Sequence, residues 1–395
     1  MKTSANSPLV VVGGGIGGLA AAVALSRGGH AVRLLEQTSV FAEVGAGVQL
    51  GPNVVRILQS WGLGDALQAV AAFPDRLVVR NALTAQTLGV LPLGQRTIEK
   101  YGAAYATVAR ADLHGLLLSS AHGYAVDLQV SQPVTTVFQT ADAAQITTVD
   151  DTNLETPLLV GADGLWSKVR HALLGATLPR ATGHLAFRAM VAQADLPAPL
   201  QSQVVTAWLG PKFHAVQYPV RGGSYLNVVV IVQGQSRGDP TSWDHSANAG
   251  ELRARLAYAQ APLLDLIHAI DDWRLWPLYD RAPMANAHEQ AQGRIALLGD
   301  AAHPMRPYLA QGAGMAIEDA QQLAQSLQAH PHNVPQALQH YADARWQRNA
   351  KVQARAIRNG EIFHLTGPLR MGRDVSLQLL GERLLDVPWL YAYGR

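Results

Sequence analysis

A glycine-rich loop near the N-terminus constrains the fold of this chain most strongly. The apolar, β-branched run Leu9–Val12 precedes it and predicts a buried parallel strand. The loop leads into an alanine- and leucine-rich helix, 19–27, and a second strand, 31–35, ends at Glu36. Three glycines in the loop fit the spacing G-x-G-x-x-G: Gly13, Gly15 and Gly18. Such a unit gives a tight turn, close backbone approach to a pyrophosphate at a helix N-terminus, and a carboxylate for ribose hydroxyls. It predicts dinucleotide binding without choosing between FAD and NAD.

Composition limits the classes of protein that remain. A chain of 395 residues with 48% hydrophobic and 15% charged residues can bury a large core, and its length predicts two or three domains. A net charge of +2 gives no electrostatic reason to expect nucleic acid as a partner. The sequence has no cysteine, which excludes disulfides, thiolate metal sites, iron–sulfur clusters and a cysteinyl flavin linkage. We predict a reducing, cytoplasmic location.

The apolar segment 8–25 resembles a signal peptide or a membrane span in hydropathy alone. Five glycines fall within positions 13–18, and no cleavage-site pattern follows. We therefore interpret this segment as part of the fold and expect no membrane association. The pair His330 and His332 lies in a predicted surface loop, and we predict no metal site.

A second strand–loop–helix unit lies late in the chain. The apolar run 295–298 predicts a buried strand that ends at Gly299-Asp300. A loop containing Pro304 follows, and Gln311 precedes a helix that opens on small residues. Unpaired backbone N–H groups and the positive end of the helix dipole favour a ligand with an electron-rich edge. Asp300 can accept hydrogen bonds from a polyol.

Other segments between these units carry candidate ligand contacts. The stretch 45–53 predicts a glycine-rich turn that leads to a helix from Val54, with backbone packed against a flat ring. Tyr105 and Arg110 precede a helix, 113–120, and Arg110 can reach a phosphate or form a surface ion pair. An apolar strand, 158–162, ends at Asp163-Gly164.

The segment after about residue 180 changes to alternating apolar and polar residues. Four runs, 185–191, 203–208, 214–218 and 225–232, predict an antiparallel sheet inserted between parts of the dinucleotide-binding domain. Helices are predicted at 251–260 and 262–270, a strand near Trp276, and long helices at 313–329 and 334–363, followed by a helical tail.

The three motifs occur together in an order that resembles a known family. The G-x-G-x-x-G unit, Asp163-Gly164 and the late G-D-x-x-H-P motif resemble the flavoprotein aromatic hydroxylases, the single-component group A monooxygenases, over nearly the whole chain. The stretches G-A-G-V-Q-L-G-P-N, Y-G-A-A-Y, R-x-D-L-H and H-P-M-R-P-Y-L-A-Q-G-A are similar to the branch with 3-hydroxybenzoate 6-hydroxylase, salicylate hydroxylase and 6-hydroxynicotinate 3-monooxygenase.

The resemblance implies an α/β plus α+β fold. A Rossmann-like FAD-binding domain, similar to glutathione reductase and p-hydroxybenzoate hydroxylase, would hold an inserted antiparallel-sheet substrate domain and a helical C-terminal tail. The predicted FAD-binding domain comprises residues 1–75, 105–180 and 283–365. The predicted substrate domain comprises 76–104 and 181–282, and the tail comprises 366–395.

The resemblance also implies non-covalent FAD, with NADH or NADPH as a transient co-substrate because no second Rossmann unit is present. The residues implied to bind or support cofactor are Gly13, Gly15, Gly18, Glu36, Gln37, Gln49, Arg110, Asp163, Asp300, Pro304, Gly312, Ala313, Gly314 and Met315. The flavin pyrimidine edge would face the backbone at 312–315, where a helix N-terminus stabilises negative charge.

The implied reaction is hydroxylation of a monocyclic hydroxylated aromatic acid by a flavin C4a-hydroperoxide formed from O2. It requires a dry pocket and a group that withdraws the phenolic proton of the substrate. Our candidate is His214, whose alternative role is that of an ordinary half-buried strand residue. Gln311, Tyr218 and Tyr105 are further pocket candidates, and Tyr218 lies on the same strand face as His214.

The substrate and some alternative functions stay open. Gln49 is typical of the hydroxybenzoate branch, whereas the hydroxynicotinate enzymes carry histidine at this position. The glutamine slightly favours a 3-hydroxybenzoate-like substrate. Salicylate and 6-hydroxynicotinate remain alternatives, as does a non-hydroxylating oxidase or reductase of the same fold. Arg188 and Arg221 are candidates for carboxylate binding or for exterior ion pairs. The sequence also leaves open the hydroxylated position, the choice of NADH or NADPH, and the oligomeric state, with a homodimer as one candidate.

Two other functions fit the sequence less well. A flavin halogenase would need W-x-W-x-I-P, and Trp273-Arg-Leu-Trp-Pro-Leu278 has the wrong spacing. A non-enzymatic NAD-binding regulator would leave the second and third motifs without a role.

Overall fold

The structure, a computed structural model, describes residues 7–41, 46–235, 245–246 and 248–394. The strands in these ranges are β1 (Leu9–Val12), β2 (Val32–Leu35), β3 (Gly47–Leu50), β4 (Arg76–Asn81), β5 (Thr87–Pro92), β6 (Ala106–Ala109), β7 (Asp127–Gln129), β8 (Val134–Gln139), β9 (Ala144–Thr148), β10 (Asn153–Thr156), β11 (Leu159–Gly161), β12 (Arg180–Ala192), β13 (Val205–Gly210), β14 (Phe213–Val220), β15 (Tyr225–Gln233), β16 (His245–Ser246), β17 (Arg274–Asp280), β18 (Ala291–Gln292) and β19 (Ile295–Leu297).

The α-helices in the same ranges are α1 (Ile16–Arg27), α2 (Pro52–Ser60), α3 (Gly64–Val70), α4 (Gly94–Tyr101), α5 (Arg110–Gly123), α6 (Lys168–Leu174), α7 (Ala249–Arg255), α8 (Ala261–His268), α9 (Gly312–Ala329), α10 (Val334–Phe363), α11 (Gly367–Leu380), α12 (Glu382–Leu385) and α13 (Pro388–Tyr391). Among the described residues, no helix combines the length and the apolar character needed to cross a bilayer.

The chain forms two compact units, each made of three segments. Unit 1 comprises Met1–Glu43, Leu113–Arg180 and Tyr279–Ala356, and unit 2 comprises Val44–Asp112, Ala181–Leu278 and Ile357–Arg395. These bounds differ from the predicted domains: residues 44–75 and 105–112 belong to unit 2, whereas the prediction placed them in the FAD-binding domain. The two units are defined by spatial packing, whereas the predicted domains were defined by which ligand each would bind. The domain assignment therefore stays a prediction.

Unit 1 is built on a six-stranded sheet in the order β18-β19-β11-β1-β2-β7. Strands β19, β11, β1, β2 and β7 run parallel, and the short β18 is antiparallel at the edge. Strand β1 is buried throughout because both faces of a parallel sheet are covered. The predicted β1–α1–β2 unit is therefore present, and it brings the loop between β1 and α1 to the carboxyl edge of the sheet. A three-stranded antiparallel sheet, β10-β9-β8, lies in the same unit.

Unit 2 is built on an eight-stranded sheet in the order β16-β17-β12-β15-β14-β13-β4-β5. The prediction of a purely antiparallel sheet is wrong at one pair, because β13 runs parallel to β4. Strand β4 precedes β13 by more than 100 residues, and a long connection permits parallel pairing. Strand β12 pairs with β15, β15 with β14, and β14 with β13, each in the antiparallel direction.

The two faces of this sheet differ in character because side chains alternate along each strand. One face packs against α7 and α8 in a core that includes Phe187, Trp208, Phe213, Val228, Val230, Leu252 and Leu263. The other face carries polar groups at alternate positions of β12, β14 and β15. These polar residues are His184, Arg188, His214, Tyr218 and Asn227. We call it the polar face.

The segment around residue 50 differs from its prediction. Instead of a turn, Gly47–Leu50 forms strand β3, which pairs antiparallel with β6, and helix α2 begins at Pro52 rather than Val54. Gly45, the first residue of the predicted turn, lies outside the described residues. Strands β4 and β5 and helices α3 and α4 were not predicted, and the helix predicted at 251–260 ends at Arg255. Strands β3 and β4 pair with β6 and β13, which are remote in sequence, so local pattern does not reveal them.

Candidate functional site

The loop between β1 and α1 depends on glycine for steric reasons. Gly13 has a φ of +108°, and a Cβ there would lie 2.4 Å from the carbonyl oxygen of Ala162. A Cβ on Gly18 would lie 1.8 Å from the carbonyl oxygen of Gly13. Gly15 is the N-cap of α1, whose first turn has no side-chain cap and no acidic residue. This helix N-terminus therefore suits an anionic group that approaches the backbone closely.

Glu36 lies directly after β2 and beside this loop. Its Oε2 accepts a hydrogen bond of 2.6 Å from the Gly14 N–H, and its Oε1 accepts bonds from the N–H and hydroxyl of Thr38, both at 2.8 Å. These bonds hold the carboxylate beside the loop, and its contact with a ribose stays a prediction. The adjacent Gln37 is exposed. The buried His114 places Nε2 2.8 Å from the Gly14 carbonyl oxygen. His114 belongs to the R-x-D-L-H stretch, but sequence reasoning gave it no role.

Asp163 uses both carboxylate oxygens to fix the start of α6. Oδ1 accepts from the Ser167 hydroxyl at 2.5 Å, and Oδ2 accepts from the N–H groups of Lys168 and Val169 at 2.7 and 3.1 Å. Burial raises the pKa of this carboxyl, although the hydrogen bonds from Ser167 and the backbone oppose the rise. Asp163 therefore has a clear capping role, and its predicted role in cofactor binding stays a prediction.

The late motif forms a tightly held loop after β19. The exposed Asp300 lies in a 3-10 turn, Gly299–Ala301. The fully buried His303 places Nε2 2.5 Å from Oδ2 of Asp319 on α9, and the same oxygen accepts a 3.3 Å bond from the Gly299 N–H. The Pro304 carbonyl oxygen accepts from Gln353 on α10 at 3.2 Å. The His-Pro part of the motif therefore fixes the loop that presents Asp300.

A buried ionic network anchors α9 to α10 behind this loop. Arg345 has no exposed surface, and it donates to Asp319 at 2.7 Å and to Glu318 at 2.8 Å. Arg348 donates two further bonds to Glu318, at 2.7 and 2.8 Å. Burial alone would raise the pKa of Asp319, but His303 and Arg345 hold that pKa well below its ordinary value. Asp319 therefore remains a carboxylate inside the protein.

The network sets the position of the N-terminus of α9. The buried Gln311 is its N-cap, and the helix has no side-chain cap and no acidic residue in its first turn. A Cβ on Gly312 would meet no heavy atom within 4 Å in the described structure. Ala313 is half-buried, and Gly314 and Met315 are buried below it. This end of α9 therefore has backbone N–H groups that no side chain caps, and their contact with a ligand stays a prediction.

In unit 2, three of the predicted residues lie together. The Tyr105 hydroxyl donates to Gln49 Oε1 at 2.6 Å, and the buried Tyr218 hydroxyl faces the side chains of Gln49 and Asn227. Asn227 also accepts a 2.6 Å bond from the Gly47 N–H. Burial raises the pKa of Tyr218 and Tyr105, so both stay protonated. Gln49, predicted to support the cofactor, thus links two pocket candidates, and Asn227 was missed because its partners are remote in sequence.

His214 lies on the same face of β14 as Tyr218, as its spacing predicted. The imidazole is buried, and its Nδ1 lies 2.8 Å from Nε2 of His364. The His364 ring in turn packs edge-on against His184, with centroids 4.8 Å apart. Burial, followed by the charges of His364 and His184, lowers the pKa of His214 well below 6.5. His214 is therefore a neutral imidazole at neutral pH and can accept a proton.

The arginines considered for carboxylate binding have different surroundings. Arg221 forms an ion pair with Asp112 at 3.0 and 3.2 Å near the surface, in agreement with the exterior alternative. The Arg188 guanidinium instead lies 4.7 Å from the Trp276 ring centroid. The backbone N–H of Arg110 donates to Ala46, and Arg110 is close enough for its charge to affect the pKa of Arg188.

The chain is similar to several characterised proteins over almost its full length. Residues 6–356 match the family model described as FAD binding domain. A 3-hydroxybenzoate 6-hydroxylase from Polaromonas naphthalenivorans is 36% identical, with 99% of this chain and 97% of that protein covered. A 6-hydroxynicotinate 3-monooxygenase from Bordetella bronchiseptica is 36% identical, with 87% and 89% covered. A solved salicylate hydroxylase–substrate complex has a TM-score of 0.82 and 28% identity, with 98% and 96% covered.

The chain therefore belongs to the family of FAD-binding flavoprotein monooxygenases. It is an FAD-dependent aromatic monooxygenase, and its relatives include the hydroxybenzoate, hydroxynicotinate and salicylate enzymes whose motifs it shares. The family membership predicted from the sequence is confirmed.

The steric role of Gly18 gives a first prediction. Gly18→Ala places a Cβ against the Gly13 carbonyl, so the loop must shift and affinity for FAD should fall about tenfold or more, equivalent to roughly 1.4 kcal/mol. The measurement is fluorescence titration of apoprotein with FAD. Gly115→Ala is the matched control, because a Cβ at that helical position meets no atom within 4 Å. Equal FAD affinity in the Gly18 variant and wild type would contradict this account of the loop.

The buried network gives a second prediction. Arg345→Met removes the arginine partner of the buried Asp319 and one of the two arginine partners of Glu318, and should lower the free energy of unfolding by about 3–5 kcal/mol in urea denaturation. The exposed Arg358 on the same helix supplies the control. Arg358→Met should change the free energy of unfolding by less than about 0.5 kcal/mol.

The same variant should alter the pH dependence of stability. The pKa of Asp319 is lower in the folded protein, so its contribution is present above the unfolded value of about 3.9 and is lost on acidification. Arg345→Met should flatten this acid-side loss. An unchanged urea midpoint would show that the network adds nothing to stability.

Proposed function

We propose that this enzyme hydroxylates a monocyclic aromatic acid that already carries a hydroxyl group, with 3-hydroxybenzoate as the first candidate. NADH or NADPH would be the reductant and O2 the oxidant. The observation that carries the proposal is the polar face of unit 2, where His214 and Tyr218 lie on one side of β14 and Tyr105 and Gln49 are hydrogen-bonded around Tyr218. We propose that residues 76–104 and 181–282 form the substrate domain.

The described residues fit FAD. The glycine cradle and uncapped N-terminus of α1 suit its pyrophosphate, Glu36 suits the adenosine ribose, and Asp300 suits a ribityl hydroxyl. The uncapped N-terminus of α9 suits the pyrimidine edge of the flavin. When bound, FAD would take electrons from NAD(P)H and use O2 to supply the oxygen atom that enters the aromatic ring.

Further residues complete the proposed cofactor contacts. The set proposed to hold or support FAD is Gly13, Gly15, Gly18, Glu36, Gln37, Gln49, Arg110, Asp163, Asp300, Pro304, Gly312, Ala313, Gly314 and Met315. Gln49 and Asp163 would act indirectly, since the first bonds to pocket tyrosines and the second caps α6.

His214 is the proposed base that takes the phenolic proton of the substrate. An ionised hydroxyl makes the ring electron-rich and ready to accept an oxygen atom. The imidazole is neutral in the free protein, so it can accept the proton, and a phenolate beside it would favour the protonated form. Its contact with His364 at Nδ1 orients the ring.

Gln311, Tyr218 and Tyr105 are proposed to orient the substrate. Their hydroxyl and amide groups can hydrogen-bond a ring substituent, and the burial of all three keeps water out of their surroundings. Salicylate and 6-hydroxynicotinate remain alternative substrates, because relatives with those names share the family. The residue at position 49 is glutamine, and this favours a hydroxybenzoate slightly. A non-hydroxylating oxidase or reductase is the remaining alternative.

The reaction itself gives a third prediction. FAD-loaded enzyme in air should oxidise NADH faster when 3-hydroxybenzoate is added, and chromatography should detect a dihydroxylated product. Stimulation with hydrogen peroxide alone would show that this acid is an effector, and salicylate and 6-hydroxynicotinate would be tested next. No stimulation by any of these acids would favour the oxidase or reductase.

The role of His214 gives a fourth prediction. His214→Ala should slow hydroxylation by about 10²- to 10⁴-fold at pH 6–7, where the substrate phenol is protonated. The deficit should shrink as the pH approaches the phenol pKa of about 10, because the phenolate then forms without a base. The measurement is a pH profile of single-turnover hydroxylation, with the exposed His332→Ala as control. Turnover that matches wild type at every pH would place the base elsewhere.

A further inference from the structure

Arg188 is a cation on the polar face of unit 2 that has no anionic partner among the described residues. Its guanidinium lies 4.7 Å from the ring centroid of Trp276, and its buried Nε makes no hydrogen bond there. By contrast, Arg221 pairs with Asp112 and Arg306 pairs with Asp280. A largely desolvated charge without a counterion is costly, so Arg188 is suited to an anion that comes from outside the chain.

The surroundings of Arg188 strengthen the preference for an anion. Burial, together with the nearby positive charge of Arg110, lowers the pKa of Arg188 to about 10, while Tyr218 acts in the opposite direction. Arg188 therefore still carries its charge at neutral pH. The Trp276 ring lies against the guanidinium and contributes a cation–π contact.

The strand register places Arg188 between the two ends of the proposed substrate site. Arg188 pairs with Val229, which pairs in turn with Val216, the residue midway between His214 and Tyr218 on β14. His214 and Tyr218 are about 13 Å apart along the strand, and the row of Arg188 crosses β14 about halfway between them. The apolar side chains of Val216 and Val229 lie on the polar face between these groups. An aromatic ring over the two valines would have a base towards one end and a cation at its side.

We propose that Arg188 binds the carboxylate of the aromatic acid substrate and thereby selects acids over neutral phenols. The planar guanidinium can donate two parallel hydrogen bonds to a carboxylate, which fixes the direction of the ring as well as its affinity. The proposal rests on the proposed function, since it names the group of the substrate that this site recognises. Phosphate groups of a dinucleotide share the same anionic-oxygen chemistry, and the experiment separates the two sources.

The test compares an acid with its neutral analogue on FAD-loaded enzyme. Binding of 3-hydroxybenzoate and of 3-hydroxybenzamide is measured from the change in flavin absorbance, for wild type, Arg188→Met and Arg188→Lys. Arg188→Met should weaken binding of the acid about 10- to 100-fold and that of the amide less than about threefold. The affinity of Arg188→Lys for the acid should lie between those of wild type and the methionine variant. Lysine keeps the positive charge but cannot donate two parallel hydrogen bonds to a carboxylate.

Arg80→Met is the matched control. Arg80 also stacks on a tryptophan, Trp208, at 5.3 Å, but it lies on the opposite face of the same sheet. A general effect of removing a stacked arginine would appear in this variant too, whereas loss of a carboxylate contact would not. The FAD affinity of each variant is measured in parallel.

Three results would overturn the proposal. Equal loss of acid and amide binding in Arg188→Met would indicate a structural role, and unchanged binding of both would show that the carboxylate binds elsewhere. Weaker FAD binding with unchanged acid binding would assign the site to a phosphate. If neither variant folds, wild type still decides, because it should bind the acid more tightly than the amide.

The proposed function is tested separately by product formation. Arg188-dependent binding of the acid without a hydroxylated product would support the anion site and contradict the hydroxylase. Hydroxylation with no preference for the acid over the amide would support the hydroxylase and contradict the anion site.

Discussion

The buried contact of Asp319 with His303 and Arg345 holds the loop after β19 and the start of α9 in place. One carboxylate oxygen accepts from His303 and the Gly299 N–H, and the other accepts from Arg345. Because the group is fully buried, its charge persists only while these donors remain in place. The same contacts fix the turn that carries Asp300 and the first residues of α9. The late G-D-x-x-H-P motif, which the sequence predicted to contact a ligand, therefore also stabilises its own loop through His303.

The sheet of unit 2 separates stability from chemistry by using its two faces differently. The face packed on α7 and α8 carries the large apolar core of the unit, and its residues contribute burial. The polar face carries two imidazoles, a guanidinium, a phenol and an amide, held by hydrogen bonds or ring contacts to residues of the same unit. Substitutions on the polar face can therefore alter recognition of a ligand while the core opposite stays intact.

Local patterns predicted the parts of the fold and site whose causes are local. The β1–α1–β2 unit, the uncapped start of α9 and the shared face of His214 and Tyr218 all follow from spacing within about 20 residues. The missed features depend on distant partners. His364 contacts His214 at a separation of 150 residues, and Asn227 accepts a hydrogen bond from Gly47 at a separation of 180. Strand β4 pairs with β13, which follows it by more than 100 residues. No periodicity in one segment records such contacts, and Arg345 was missed for the same reason.

Gly47 shows how small a change can alter the space beside Tyr218. A Cβ at this position would lie 2.5 Å from the ring of Tyr218 and 2.9 Å from the side-chain amide carbon of Asn227. The phenol ring thus occupies volume that any other amino acid at position 47 would claim. A single methyl group at position 47 would therefore displace the Tyr218 ring. A substitution at position 47 would therefore change the positions of a tyrosine and an asparagine on the polar face without altering either residue.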